Sequence, residues 1–297
     1  MGTEIKLKGD KVIEQIPSIK DKALRINLND NIYGTFAEIG AGQETVRHFF
    51  RSGGSSGTIA KAMSAYDKDF SDAIYGIETD GRYVTESRLK KMLSHEFNLI
   101  ENRLTREKHP NKMFFSYANT VATIDFAKQF KGHGWVGIRY QIDSDEAYNE
   151  ILLHIRFKET DGKLQQETLG KLGVNLIYGA FYKYNHPKRL LRYLYDHIDI
   201  DQLEIDTINF SGPRFADVDN RLMSLQLVKN RMTDAVMFDP AGKNILPAAG
   251  ADGVFQADIP EIDRCRCAGK IFRAVHKAVR QHIAIFRACV WIAAQNR

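Results

Sequence analysis

Cysteine is scarce and badly placed for a secreted scaffold. The three cysteines, Cys265, Cys267 and Cys289, all lie near the C-terminus. An odd, clustered count excludes a disulfide framework, and Cys265-x-Cys267 lacks a second pair at zinc spacing. The first residues hold no apolar run with basic flanks, so no signal peptide is expected. No stretch reaches the ~18 apolar residues of a membrane span. A cytoplasmic protein is the expectation. H-E-x-x-H, G-x-S-x-G, G-x-G-x-x-G and G-K-[ST] are all missing, and there is no internal repeat. His48, His133 and His154 have no metal partners nearby in sequence.

Acidic residues are missing from one region. From Arg264 onward there is no Asp or Glu, but eight Lys or Arg. The net charge of +5 therefore belongs to this tail, and residues 1–263 carry −3 once those eight positive charges are set aside. A nucleic-acid partner is not expected for the acidic body. Tyrosine also stops at Tyr195. The tail reads either as the product of a frameshifted or truncated gene or as a basic amphipathic helix with Phe272, Val275, Val279, Ile283, Phe286 and Val290 on one face. The domain reading is an α/β body over 1–248 and an atypical basic tail over 249–297.

Within the body, hydrophobic periodicity gives an α/β class: a mixed N-terminal part with a hairpin, followed by a βαβ unit. "NIYGTFAEIG" reads as a strand, and "ETVRHFFR" and "TIAKAMSAY" as short helices after Gly-rich turns. In "VTESRLKKMLSHEFNLIENRLTREK", Thr85 caps a helix with Leu89, Met92, Leu93, Phe97, Ile100 and Leu104 on one face. "WVGIRYQI" and "EILLHIRFK" alternate with period two and are joined by a short polar link, which predicts an antiparallel hairpin. Gly170, Gly173 and Gly179 weaken the helix "LQQETLGKLGVNLIYGAFY", so close packing against a neighbour is expected to offset them. Pro187 opens the next helix. "QLEIDTINF", "FADVDNRLMSLQLVKN" and "DAVMF" supply the βαβ candidate.

Two stretches combine glycine, hydroxyls and arginine. In the first, Gly40 and Gly42 follow a strand and precede a helix, where unpaired amides and the helix dipole favour an anion. Arg47 and Arg51 share a helix face, and Ser55, Ser56 and Thr58 line a second turn. The alternative is a pair of plain capping turns. In the second, Ser211, Gly212 and Arg214 lie at a strand end before a helix, where open α/β sheets bind ligands. Arg214 suits a phosphate or carboxylate, and Asp217 and Asp219 a ribose or metal. The alternative is that Asp217 caps the helix and Asp219 enriches its first turn. A weaker candidate is a cationic patch of Arg139, His154 and Arg156 on one sheet face, with a solvated outer face as the alternative.

The runs "KLKGDKVIEQIPSIKDKALRINLNDNIYGTFAEIGAGQETVRHFFRSGGSSGTIAKAMSAYDKDFSDAIYG", "HPNKMFFSYANTVATIDFAKQFKGHGWVGIRYQ" and "NLIYGAFY" resemble an uncharacterised bacterial family. Its members are labelled inconsistently, as nicotinate-nucleotide adenylyltransferase or as TonB-dependent receptor. They run longer, with a second α/β half after "DPAGKNILP". Adenylyltransferases of that fold carry G-x-F-D-P-x-H-x-G-H. Here only Gly34, Phe36 and His48 match, and the Asp-Pro step and first His are missing. A receptor barrel needs many alternating strands of about ten residues.

Three functions remain open from the sequence. The first is binding or transfer of a nucleotide or phosphorylated metabolite at Gly-rich helix N-termini. The others are a non-catalytic scaffold or oligomerising protein, and a tail-mediated membrane or nucleic-acid binder. No cofactor and no catalytic residue is assigned.

Overall fold

The computed structural model describes residues 16–79, 81–127, 131–239 and 242–246. The tail from 249 therefore lies outside the described residues, as do the first fifteen.

The chain begins with α1 (Ile19–Asn27), capped by Ser18, whose side chain accepts from the Asp21 amide. β1 (Ile32–Gly40) follows, then α2 (Glu44–Ser52), a 3-10 turn at Ser55–Gly57 and β2 (Ile59–Ser64). β1 and β2 pair in parallel, so the first βαβ unit of the fold is β1–α2–β2. "TIAKAMSAY" is therefore corrected from helix to strand. Ala, Lys and Met favour helix locally, but the ladder with β1 decides the outcome.

α3 (Lys68–Tyr75) and α4 (Glu86–Arg103) cross back to β3 (Met113–Ala122), which pairs with β1 in parallel on its other side. Thr85 caps α4 as its sequence predicts, accepting from the Arg88 amide. Arg88 itself is fully buried. It meets Asp72 at 2.7 Å and Glu78 at 3.3 Å, and so ties α4 to α3 and to the segment between them.

β4 (His133–Tyr140) and β5 (Asn149–Phe157) form the expected antiparallel pair. α5 (Gly162–Tyr182), α6 (Pro187–Tyr193) and β6 (Leu203–Ser211) follow. The sheet order is β2-β1-β3-β4-β5-β6. β6 runs antiparallel to β5, and α7 (Asn220–Lys229) leads to β7 (Met237–Phe238). Among the described residues β7 pairs with β8 (Asn244–Ile245) alone, in a separate two-stranded sheet. The α/β class holds, but the βαβ unit read over residues 202–238 does not: its two strands share no sheet.

Helices cover both faces. α1, α2, α5, α6 and α7 pack with Phe36, Tyr117, Ile138 and Leu153. α3 and α4 pack with Ala37, Ala118, Trp135 and Leu152. The α5 glycines serve the predicted close packing. A Cβ on Gly170 would lie 2.7 Å from Glu44, one on Gly173 2.3 Å from Thr45, and one on Gly179 3.3 Å from Leu190.

Candidate functional site

Strand directions decide which predicted residues can act together. β1, β2, β3 and β5 end at one sheet edge, where β4 and β6 begin. Gly40 and Gly42 lie at that edge. Ser55, Ser56 and Thr58 precede β2, and Ser211, Gly212 and Arg214 follow β6, so both of these sets lie at the opposite edge. The predicted residues therefore form three separate groups.

The Gly40 group is the richest. Gly40 adopts φ +85°, a region that favours glycine, and a Cβ there would lie 2.0 Å from the Val121 carbonyl oxygen. The turn is closed by Gln43, whose Nε2 donates to the Gly40 carbonyl at 2.6 Å. Gln43 is also the N-cap of α2 but makes no side-chain capping bond. Among the described residues, no acceptor meets the amides of Gly42, Gln43 and Glu44. They are the first donors of α2. Arg47 donates to Glu44 at 2.8 Å from an exposed position, so the first turn of α2 carries no net charge from this pair. Arg51 is exposed in the last turn of α2.

Beneath this turn lies a buried polar floor that no sequence motif marks. Glu38 is 2% exposed, and among the described residues its Oε1 has no hydrogen-bond partner. Burial raises its carboxyl to about 8, against the stabilising Val46 amide and Ser64 hydroxyl. Asn119 is fully buried beside it on β3, in register with Glu38. Among the described residues neither amide atom of Asn119 completes a hydrogen bond, although the Tyr117 hydroxyl lies close enough to interact. Tyr117 bonds Thr45 at 3.1 Å, and burial pushes its phenol above the ordinary range. A Cβ on Gly42 would lie 2.0 Å from Asn119 Oδ1, so this glycine lets the α2 entry settle on the Asn119 amide. The signal in the sequence is a Glu and an Asn inside otherwise apolar strands, "TFAEIG" and "FFSYANTVA".

The second glycine cluster ends α2. Gly53 and Gly54 have φ +85° and +72°; Gly54 takes the left-handed helical conformation, and Gly53 is extended in ψ at 164°. Asn27 donates to the carbonyls of Phe49 (2.9 Å) and Gly53 (2.7 Å), and Thr58 Oγ1 donates to the Asn27 carbonyl. Ser55 and Ser56 sit in a single 3-10 turn. The expectation of a helix N-terminus after each Gly-rich turn is corrected for the second, because the segment after it is β2 and the two clusters occupy opposite ends of α2.

Arg214 is held by Glu146, its Nε 2.9 and 3.0 Å from the two carboxylate oxygens. That hydrogen bonding raises its pKa. Its backbone amide donates to Asn149 Oδ1 at 2.8 Å. Ser211 is exposed, and Gly212 turns the chain with φ +104°. The α7 cap is Asp219 rather than Asp217, accepting from the Arg221 amide. This region is built as a corner between β6 and α7.

Arg139, His154 and Arg156 do share a sheet face, as their register with β4 shows, but they form no exposed cationic patch. Arg139 pairs with Glu150 at 2.8 Å. Asp206 takes both His154 Nδ1 at 2.7 Å and Arg156 Nε at 2.8 Å. A β-bulge opposite His154 brings Asp206 there. His133 Nδ1 lies 3.2 Å from His154 Nε2, and burial, then the neighbouring His154 and Arg156, lower His133 to about 4. No group of His, Cys, Asp and Glu fit to hold a metal occurs among the described residues. Among them, too, no helix is long and apolar enough to cross a membrane.

No protein-family model matches the chain, and no curated protein matches it. Several solved structures are similar. The competence/damage inducible protein CihA from Agrobacterium tumefaciens is 15% identical, over 56% of this chain and 97% of that one, with a TM-score of 0.37. A competence-damaged protein (CinA) superfamily protein from Enterobacter cloacae is 12% identical, over 60% and 99%, with a TM-score of 0.38. One from Escherichia coli is 12% identical, over 64% and 99%, with a TM-score of 0.35. Likeness at this level transfers no activity. The receptor label finds no support in a six-stranded mixed sheet packed between helices.

Proposed function

We propose that this protein binds a phosphorylated small molecule or nucleotide where β1 and β3 end and α2 begins. The observation that carries this reading is the fully buried, unpartnered Asn119 amide beneath a helix entry whose first amides meet no acceptor. Buried polar groups are rarely left unbonded in native proteins, and helix N-termini favour anions. Gly40 and Gly42 shape the turn, and the amides of Gln43 and Glu44 face the anion.

Thermal unfolding with inorganic phosphate, ribose 5-phosphate and AMP tests the reading. A ligand at ten times its Kd adds about 1.4 kcal/mol, which raises the melting temperature of a domain this size by roughly 3–6 °C. Unchanged melting with all three compounds contradicts it.

A second reading, an oligomerising scaffold, is favoured by the β2 edge. Among the described residues β2 has a partner on one side only, and Tyr66, Phe70 and Ile77, which follow it in the chain, are 75%, 56% and 73% exposed. Uncovered edges and apolar clusters are pairing surfaces. Light scattering decides: a monomer at 100 µM removes this reading.

A further inference from the structure

The Glu38 carboxyl sits under the entry of α2, where the Val46 amide, a first-turn donor of that helix, stabilises its ionised form. An anionic ligand draws on the same helix end. Two negative charges on one helix terminus repel each other, and the low dielectric around Glu38 strengthens that repulsion. A neutral carboxylic acid leaves the terminus to the ligand, and its free Oε1 gives the acid a position from which to donate a hydrogen bond.

We propose that the site takes up its oxyanion together with one proton, carried by Glu38. The inference rests on the binding reading above and deepens it: the ligand class is an oxyanion whose affinity is linked to protonation of the protein. On binding, one proton moves from buffer to the Glu38 carboxylate, and on release it returns. Burial already holds Glu38 largely protonated at neutral pH, so the linkage shows itself in alkaline solution.

The groups that face Glu38 do not replace it in this role. From α2 come Glu44, paired with Arg47, and the Val46 amide. From β2 comes Ser64, and from β3 come Asn119 and Tyr117. Burial keeps the Tyr117 phenol neutral across the range concerned.

Sulfate is the probe, because it stays a dianion between pH 6.5 and 9.5. Calorimetric titration of the full chain is run across that range in two buffers of different ionisation enthalpy. The expected result is constant affinity below about pH 8, a loss approaching tenfold per pH unit above it, and uptake approaching one proton at pH 9. Glu38→Gln binds sulfate with no such loss and takes up no proton. Sulfate binding with pH-independent affinity and no proton uptake overturns the proton linkage and leaves the anion site standing. No sulfate binding at any pH overturns the anion site and the linkage together. The wild-type proton count decides the question even if Glu38→Gln does not fold.

Discussion

Replacing Glu38 with glutamine should stabilise the protein, increasingly so as the pH rises. The folded protein holds this carboxyl at about 8, against an ordinary value of 4.5. A group whose folded value is raised contributes its full stability below the unfolded value and loses it as pH climbs through the folded value. Each tenfold change in proton affinity between the folded and unfolded chain is worth about 1.36 kcal/mol. Relative to pH 4, wild type should therefore lose about 3 kcal/mol by pH 7 and about 5 kcal/mol by pH 9 through Glu38 alone. Glutamine has nearly the same shape and no charge to bury, so the variant lacks this loss. All other titrating groups are common to both proteins and cancel in the difference. Urea denaturation of wild type and Glu38→Gln at half-unit steps from pH 4 to 9 gives the curve directly. The expected difference is small at pH 4, grows with a slope of about 1.4 kcal/mol for each step of one in pH, and levels off above pH 8. Parallel curves would refute the reasoning, because they would mean that Glu38 has no raised value in the fold.

Other sites should respond in proportion to burial. Gly40→Ala should cost at least about 2 kcal/mol in urea denaturation, because the left-handed backbone and the Val121 carbonyl both oppose a Cβ. Gly42→Ala should be destabilising in wild type and much less so in an Asn119→Ala background, since the three atoms nearest the added methyl all belong to the Asn119 amide. Asp196→Asn should cost about 3–5 kcal/mol, because Lys22 is fully buried and bonds Asp196 at 2.5 Å. Arg214→Ala should change stability by less than about 1 kcal/mol, as its side chain is 40% exposed.

Much of the architecture is legible in the sequence because it is periodic. α4 shows its apolar face and its Thr85 cap, α5 its packing glycines, and β4–β5 strict alternation. β2 is hidden because "IAKAMS" is rich in helix-favouring residues, and only its ladder with β1 makes it a strand. The βαβ unit lies earlier in the chain than the sequence suggests, because parallel pairing is non-local and spacing does not say which strands share a sheet. For the same reason the three glycine and arginine groups look combinable in sequence. Strand direction places Gly40 at one edge, and Ser55 and Arg214 at the other. Glu38 and Asn119 are visible as polar letters in apolar strands, but the glycines beside them carry the more familiar signal. Their importance follows from burial and missing partners, which only the fold supplies.

The central claim is that an anion binds at the α2 entry and not at the other two groups. Titration of the ¹⁵N-labelled protein with inorganic phosphate, followed by amide chemical shifts, tests this residue by residue. The account predicts saturable shifts at Gly42, Gln43 and Glu44, with Ser55, Ser56, Gly212 and Arg214 unmoved. Shifts confined to residues 55–57 or 211–214, or none at the α2 entry, would contradict it.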